Sequence, residues 1–342
     1  MTQIDNPNIS ATTSTSVTTS WMGWLVWGLA CLFYFYECLL QVSPSVMSNE
    51  LMRDFSVTSH TLGILSGIYF YSYAAMQLPA GLFIDYFGPR RLLSLASLVC
   101  GISTFAFGFT HSFGAACLAR LMIGFGSAFA CVGCMKFAAN WFCPKRFPIM
   151  MGLMVTMGML GAIGGEAPLA LLIEHFEWRH SMMILGVIGV ILAFLIRVFT
   201  RDTPRQGPIN AVTREVEAPF SASLGIVLKD KRFWTIALYG GLMYLSTPVF
   251  CGLWGVPFLM DKFLITKTSA ANYVSLVFIG WAVAGPFWGM FSNYIACRKT
   301  PLYIANIGAL ICSLGFLYTS ITPIMFLFLF GVFSSAFLPA FT

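Results

Sequence analysis

The chain has 342 residues, of which 58% are hydrophobic and 9% are charged, with a mean hydropathy of +0.81. Soluble domains carry about 25% charged residues, so this composition excludes an ordinary soluble protein and indicates a polytopic membrane protein. The net charge of +6 comes from basic residues dispersed over short loops, which argues against a nucleic-acid partner.

The first twenty residues contain no Lys or Arg and end in a run rich in Ser and Thr. This predicts a disordered cytoplasmic tail over 1–20 and argues against a cleavable signal peptide. Nearly all of the ten cysteines lie inside apolar runs, where a thiol behaves as a small hydrophobe. We therefore expect no disulfide framework, no metal site and no cofactor.

Apolar runs long enough to cross a bilayer recur along the chain. A helix needs about 20 residues to cross a hydrocarbon core of about 30 Å. Nine complete spans are predicted, and a tenth begins near Pro323 and is still apolar at Thr342, so we expect the sequence to be a fragment. The nine lie at about 22–46, 60–84, 91–109, 114–141, 148–173, 180–199, 233–259, 270–292 and 302–319.

The distribution of Lys and Arg predicts the orientation of these spans. If the N-terminus is cytoplasmic, the inner loops hold thirteen basic residues and the outer loops hold four. The four outer residues are Arg53, Arg179, Lys262 and Lys267. We therefore expect a cytoplasmic N-terminus.

One long connection over 200–232 is rich in proline and charge, which predicts a cytoplasmic linker. It separates a bundle of six helices at 21–199 from a second bundle at 233–342 that is expected to be truncated.

A polar hairpin, Gly81–Arg91, lies between two apolar runs and returns 208 positions later as Gly289–Lys299. Asn293 stands in the second copy where the first has Asp85, and Arg298 matches Arg90. Two copies of one loop imply two copies of the bundle around it.

These residues resemble the major facilitator superfamily of secondary transporters. Gly81–Arg91 resembles the family's signature loop between helices 2 and 3, and Gly285–Lys299 resembles its weaker second copy. Arg120–Ala128 in helix 4 is also similar, and Leu253–Phe258 in helix 7 is similar to bacterial members, which implies a bacterial inner membrane. The resemblance implies an all-α fold of two six-helix bundles that rock about a central solute cavity.

A finer similarity concerns Tyr36–Glu37 and Tyr69–Pro79, which look like a branch with bacterial phagosomal amino-acid transporters and a lysosomal dipeptide uniporter. Helix 5 departs from the pattern of antiporters. It reads Gly158–Glu166 without the proline of their Gly-Pro-x-x-Gly-Gly element, so drug/proton antiport is less favoured.

Four ionisable side chains lie well inside the predicted spans: Glu37, Arg120, Lys136 and Glu166. A charge at mid-bilayer costs about 2.5–3.5 kcal/mol, so each should be paired or face water. At about 1.5 Å per residue, Glu37, Arg120 and Glu166 lie at similar depth, so they could meet in the outward half.

We hypothesise that Arg120 holds one of the two carboxylates ionised, while the other accepts a proton or contacts a cationic group of the substrate. The alternative for Arg120 is a structural role that locks helix 4 to its neighbours, and both readings are open for Glu166. Lys136 could snorkel to the cytoplasm or attract a substrate carboxylate. Tyr36 could present its hydroxyl to a solute or pack, and Gln41 is a candidate cavity liner.

The hairpin residues are candidates for gating. By resemblance, Asp85 reaches across to the other half and stabilises the outward-open state, with Arg90 and Arg91 supporting it. Simple anchoring at the cytoplasmic surface is the alternative for the two arginines. Asn293, in the copy that contains Arg298, predicts a weaker second gate.

The glycines of the first hairpin have separate expected roles. Gly88 is expected to take a positive φ in a tight turn, and Pro89 to open the next helix. Gly81 is expected to let two helices approach closely.

The sequence lacks a His/Asp metal cluster, a Gly-x-Ser-x-Gly elbow and an ATP-binding loop, which disfavours a membrane enzyme and ATP-driven transport. We expect a proton-coupled or uniport carrier of a small polar or charged metabolite, with an amino acid or dipeptide favoured. Alternatives are an exporter or antiporter of drugs or organic anions such as siderophores, a channel, and a transport-dead receptor. The expected partners are the solute, the lipid bilayer and, as a candidate coupling ion, protons; the chain is expected to act as a monomer or homodimer.

Overall fold

The computed structural model describes residues 21–203, 229, 231–295, 299–319 and 323–335. The predicted tail over 1–20, most of the predicted linker, Arg298 and the stretch after 335 lie outside the described residues. Within the described ranges the chain is helical and contains no strand. The helices are α1 (Trp21–Val42), α2 (Pro44–Phe55), α3 (Ser59–Phe87), α4 (Pro89–Phe109), α5 (Phe113–Trp141), α6 (Phe147–Gly164), α7 (Ala167–Phe199), α8 (Lys231–Val249), α9 (Gly255–Phe263), α10 (Lys267–Ile295), α11 (Lys299–Tyr318) and α12 (Ile324–Ser334).

Two short segments join consecutive helices. A 3₁₀ turn over Pro144–Arg146 precedes α6, and a π-helix over Phe250–Trp254 joins α8 to α9. We call α1–α7 the first group and α8–α12 the second group.

Six helical stretches in the described residues are long and apolar enough to cross a membrane. They are Trp21–Val42, Pro89–Phe109, Phe113–Trp141, Ile149–Phe199, Leu238–Phe263 and Thr300–Tyr318. Ile149–Phe199 has 51 residues, enough for two crossings, and its helix breaks at Glu177, which has φ 61° and ψ 161°. The predicted all-α polytopic architecture is confirmed.

Close helix packing uses glycine in both groups. A Cβ at Gly161 of α6 would lie 2.1 Å from the Phe35 carbonyl oxygen of α1. A Cβ at Gly280 of α10 would lie 2.4 Å from the Phe328 carbonyl oxygen of α12. Because apolar contact gives little driving force in lipid, such backbone approach supplies the packing that holds spans together.

The hairpin between α3 and α4 adopts the predicted turn. Gly88 has φ 83°, and Pro89 is the first residue of α4. The Arg90 backbone N–H donates to the Asp202 carboxylate at 2.7 Å. A carboxylate at this position compensates the positive end of the α4 dipole.

The prediction for Gly81 is wrong. A Cβ at this position would have no heavy atom within 4 Å, so no helix approaches the Gly81 backbone closely among the described residues.

Candidate functional site

A cavity of about 170 Å³ lies between the two groups of helices. Its walls come from α1, α3 and α6 of the first group and from α8 and α10 of the second. We call it the central cavity; its polar or aromatic liners include Glu37, Gln41, Tyr73, Tyr244, Thr247 and Trp281. The described lining includes a carboxylate and no Lys or Arg.

Glu37 is the acidic group of the central cavity, and its residue is only 2% exposed. Oε1 accepts a hydrogen bond of 2.7 Å from the Tyr69 hydroxyl, and Oε2 lies 3.4 Å from the Cys38 Sγ. No Lys or Arg nitrogen among the described residues lies within 4.0 Å of this carboxylate. Glu37 can therefore meet a proton or a cationic solute group without first breaking an ion pair.

The buried position of Arg120 is accounted for by a carbonyl that lacks its helical partner at the break between α1 and α2. Pro44 has no N–H, so the Leu40 carbonyl four residues earlier loses its helical partner. That oxygen instead accepts from Arg120 Nη1 at 3.0 Å and from Ser43 Oγ at 2.9 Å. Arg120, only 1% exposed, thus ties α5 to the point where the first span breaks.

The predicted ion pair between Arg120 and a carboxylate is not formed within the described part of the chain. The reason is geometric, because Tyr69 stands between the charges. The Arg120 guanidinium carbon lies 5.0 Å from the Tyr69 ring centroid, while the Tyr69 hydroxyl donates to Glu37. Cation and carboxylate therefore contact opposite parts of one tyrosine.

Glu166 lies apart from the central cavity, at the break between α6 and α7. It is 0% exposed, and its Oε1 accepts a hydrogen bond of 2.9 Å from Ser45 Oγ. Its Oε2 has no hydrogen-bond partner among the described residues. Glu166 therefore links α2 to the α6–α7 break and does not join Glu37 in one cluster.

Gln41 and Tyr36 have different surroundings. Gln41 lines the central cavity, as expected, and its Nε2 donates to the Tyr244 hydroxyl of α8 at 3.1 Å. Tyr36 is 3% exposed, and its hydroxyl donates to the Leu185 carbonyl at 2.9 Å. Tyr36 therefore packs α1 against α7 and does not present its hydroxyl to the cavity.

The family profile of the Major Facilitator Superfamily matches residues 23–342. The chain belongs to this family. A bacterial homologue of the human lysosomal transporter Spinster, solved in an inward-facing and unoccupied conformation, has a TM-score of 0.74 and 18% identity. The alignment covers 93% of this chain and 74% of that one, which shows the shared fold.

Two relatives of known name differ in role. A probable sulfoacetate transporter, SauU, of Cupriavidus necator is 26% identical over 180 residues, covering 53% of this chain and 42% of the relative. The membrane sensor protein UhpC of Salmonella typhimurium is 21% identical over 318 residues, covering 88% of this chain and 69% of the relative. The chain spans about half the length of the curated transporters SauU and YybO that it matches.

The acidic residue of the signature loop forms its ion pair within the first group. Lys136 Nζ of α5 lies 2.6 Å from Asp85 Oδ1 at the end of α3. The expectation that Asp85 reaches the other half is therefore not met among the described residues, and Lys136 is neither free nor in the central cavity. The physical reason is proximity, because Lys136 lies near the end of α5 that adjoins the hairpin.

The arginines of the loop have separate surroundings. Arg90 Nε and Nη2 donate to the Arg197 carbonyl at 3.0 and 2.7 Å, so Arg90 satisfies the last turn of α7. Arg91 is exposed and borders a surface groove beside Arg197. We call this the Arg90 end of the molecule. The Asn293 side chain and Arg298 lie outside the described residues, so the second gate stays a prediction.

The opposite end, which we call the Glu50 end, joins the two groups directly. Lys267 of α10 forms an ion pair with Glu50 of α2, and the Thr268 hydroxyl donates to Glu174 of α7. Sequence reasoning missed these contacts, because Glu50 and Lys267 are 217 positions apart and no local pattern connects them.

Asp54 is the central residue of a second polar cluster at the Glu50 end. Its Oδ2 accepts from the Trp178 indole N–H at 2.9 Å and lies 3.6 Å from Arg179 Nε, while Arg53 Nε lies 3.0 Å from Oδ1. Burial alone would raise the pKa of Asp54, but the Trp178 hydrogen bond and the two arginines lower it below the usual value.

Proposed function

We propose that this protein is a secondary transporter that moves a small solute bearing a cationic amine through the central cavity by alternating access. The observation that carries the proposal is the Glu37 carboxylate, buried against a cavity between the two groups and facing no Lys or Arg of its described lining. An amine solute supplies the positive charge that the described lining of the cavity does not offer to this carboxylate. Amino acids and short peptides have such a group at neutral pH.

The same carboxylate can couple transport of the solute to movement of protons. Glu37 can hold either a proton or the solute ammonium, so the two exchange at one site and a proton flux in one direction drives the solute in the other. Alternating access needs contacts between the groups that close one end of the cavity at a time. The ion pair of Lys267 with Glu50 and the hydrogen bond from Thr268 to Glu174 are contacts of this kind at the Glu50 end. The charge pattern favours placing that end outside a bacterial inner membrane, with the Arg90 end in the cytoplasm.

The test is uptake of radiolabelled amino acids and dipeptides by the full-length protein in proteoliposomes with an imposed pH gradient. Glu37→Gln keeps the size and polarity of the side chain but removes its charge, so we expect gradient-driven uptake to be abolished. Asp261→Asn is the matched control, because Asp261 is exposed and lies outside the described cavity lining. Unchanged uptake and unchanged pH dependence in Glu37→Gln would contradict the proposal.

An organic-anion carrier is a second candidate, favoured by the similarity to a probable sulfoacetate transporter. An anion in the central cavity would face Glu37 with no described cationic liner to offset the repulsion. Sulfoacetate uptake that survives in Glu37→Gln, together with no uptake of amines, would favour this candidate.

A transport-dead sensor is favoured by the similarity to a membrane sensor protein over most of the chain. A sensor binds its ligand without turnover, whereas a carrier exchanges it. Saturable counterflow in proteoliposomes supports the carrier; ligand binding without counterflow supports the sensor.

A further inference from the structure

A second cavity adjoins the central one as an open groove, and much of its wall is exposed: Tyr71 is 78%, Leu245 54% and Val249 49% exposed. Its volume is about 390 Å³, and it lies between α3 of the first group and α8 with the π-helix of the second. Gln41 and Tyr244 line both cavities. The 3.1 Å bond from Gln41 Nε2 to the Tyr244 hydroxyl lies where the two cavities meet, and we call it the partition between them.

The walls of the second cavity are mainly apolar. Phe70 and Tyr71 come from α3, Leu245 and Pro248 from α8, and Trp254 from the π-helix. No acidic or basic residue is among its described liners. The two cavities therefore differ in chemistry, with a carboxylate on one side of the partition and aromatic and aliphatic groups on the other.

Glycines enlarge the second cavity without serving described helix contacts. A Cβ at Gly63 of α3 or at Gly241 of α8 would meet no heavy atom within 4 Å. At packing positions such as Gly161, a Cβ would meet backbone at 2.1 Å. A larger side chain can therefore be introduced at Gly241 without its Cβ meeting a described atom.

One hydroxyl in the second cavity has no partner. Ser66 of α3 is 6% exposed, and its Oγ makes no hydrogen bond with any described residue. A serine inside a helix ordinarily bonds back to a carbonyl of the preceding turn. A buried hydroxyl without a partner costs about 1–3 kcal/mol, which a polar atom of a bound molecule would offset.

We propose that the two cavities are the two compartments of one binding site for an amphipathic amine, in which the ammonium group lies at Glu37 and an apolar body fills the space beyond the Gln41–Tyr244 partition. This inference rests on the proposed function and adds the class of solute: an amino acid or dipeptide with a large apolar side chain. The hydrogen bond between Gln41 and Tyr244 breaks when such a solute binds. Because Gln41 belongs to the first group and Tyr244 to the second, binding of the solute then changes a contact between the two groups.

The test is a binding series of primary n-alkylamines, from methylamine to pentylamine, measured by calorimetry on the full-length protein in detergent. Each methylene that enters an apolar compartment should tighten binding by about fourfold. Gly241→Leu fills the second compartment, so it should flatten this dependence on chain length and leave methylamine unchanged. Glu37→Gln should weaken the whole series.

Gly152→Leu is the matched control, because a Cβ at Gly152 also meets nothing within 4 Å but the residue lies outside both described cavities. It should leave the series unchanged. A chain-length dependence that is flat in the native protein, or an equal effect of Gly241→Leu on all amines, overturns the inference.

Another segment of this chain is the competing occupant of the second compartment. In that case Gly63→Ala would lower the melting temperature while the native amine series stays flat, which also overturns the inference. Loss of uptake in proteoliposomes with an intact amine series would instead reject the proposed transport and leave the two-compartment site standing.

Discussion

Tyr69 lies between two opposite charges, donating its hydroxyl to the Glu37 carboxylate while its ring faces the Arg120 guanidinium. The equal depth of Glu37 and Arg120 was predictable from the rise of a helix, but which groups lie between them was not. An apolar run that contains several tyrosines does not tell which hydroxyl turns toward a carboxylate. The direct partner of Arg120, the Leu40 carbonyl, is predictable in principle, because Pro44 must leave an acceptor free four residues earlier.

At Asp54 the structure predicts a pH dependence of stability. The pKa of Asp54 is lowered in the folded protein. Its contribution to the free energy of unfolding is therefore present above the unfolded-state pKa of about 3.9 and is lost as the pH falls through the folded-state pKa. We expect Asp54→Asn to melt at a lower temperature than the native protein at pH 7. The difference between the two melting temperatures should become smaller as the pH approaches 3. Thermal unfolding in detergent from pH 3 to pH 7 measures this.

Asp261→Asn serves as the control for Asp54, because Asp261 is exposed and forms no described ion pair. Its melting temperature should follow the native curve. A difference between Asp54→Asn and the native protein that stays constant with pH would contradict the assignment.

At the scale of the helices, the apolar runs predicted the spans but not their breaks or their polar extensions. The first run was predicted to end near 46, whereas α1 ends at Val42 and α2 continues to Phe55. The residues of α2 include Ser, Asn, Glu and Arg, so hydropathy alone does not mark it as a helix. Burial of Val46, Met47 and Leu51 on one face stabilises α2 by tertiary contact.

The packing of α1 against α6 predicts opposite effects of two glycine substitutions. Gly161→Ala would place a Cβ 2.1 Å from the Phe35 carbonyl oxygen, so the helices must separate. Such overpacking costs about 1–3 kcal/mol. Gly152→Ala on the same helix meets open space and should stabilise the helix by up to about 1 kcal/mol.

Unfolding by denaturant in micelles measures both substitutions, with each compared with the native protein. Equal stability of the two variants would show that the close approach of α6 to Phe35 contributes nothing.

At the scale of the whole molecule, a duplicated loop predicted a duplicated fold, and the family match over residues 23–342 agrees with the membrane architecture. Contacts between the groups were not predictable in the same way. Lys267 was predicted to lie in an outer loop, but its pairing with Glu50 depends on how the two bundles pack against each other. That relation leaves no periodicity in the sequence.

The ion pair of Glu50 and Lys267 predicts how charge reversal changes the Glu50 end of the molecule. Glu50→Lys places two cations at a contact where each native side chain is largely buried, with 22% and 16% of its surface exposed. Like charges there repel, so the Glu50 end should open and the backbone amides of α2 should exchange hydrogen faster. The double variant Glu50→Lys/Lys267→Glu restores opposite charges and should return exchange toward the native rate.

Hydrogen exchange of peptides from α2 and from the start of α10 measures the opening. Asp261→Lys is the control, because it changes the charge at an exposed position near the same end without touching the pair. Rescue by the double variant separates a specific latch from general destabilisation. Equal exchange in the single and double variants would mean that this ion pair does not hold the two groups together.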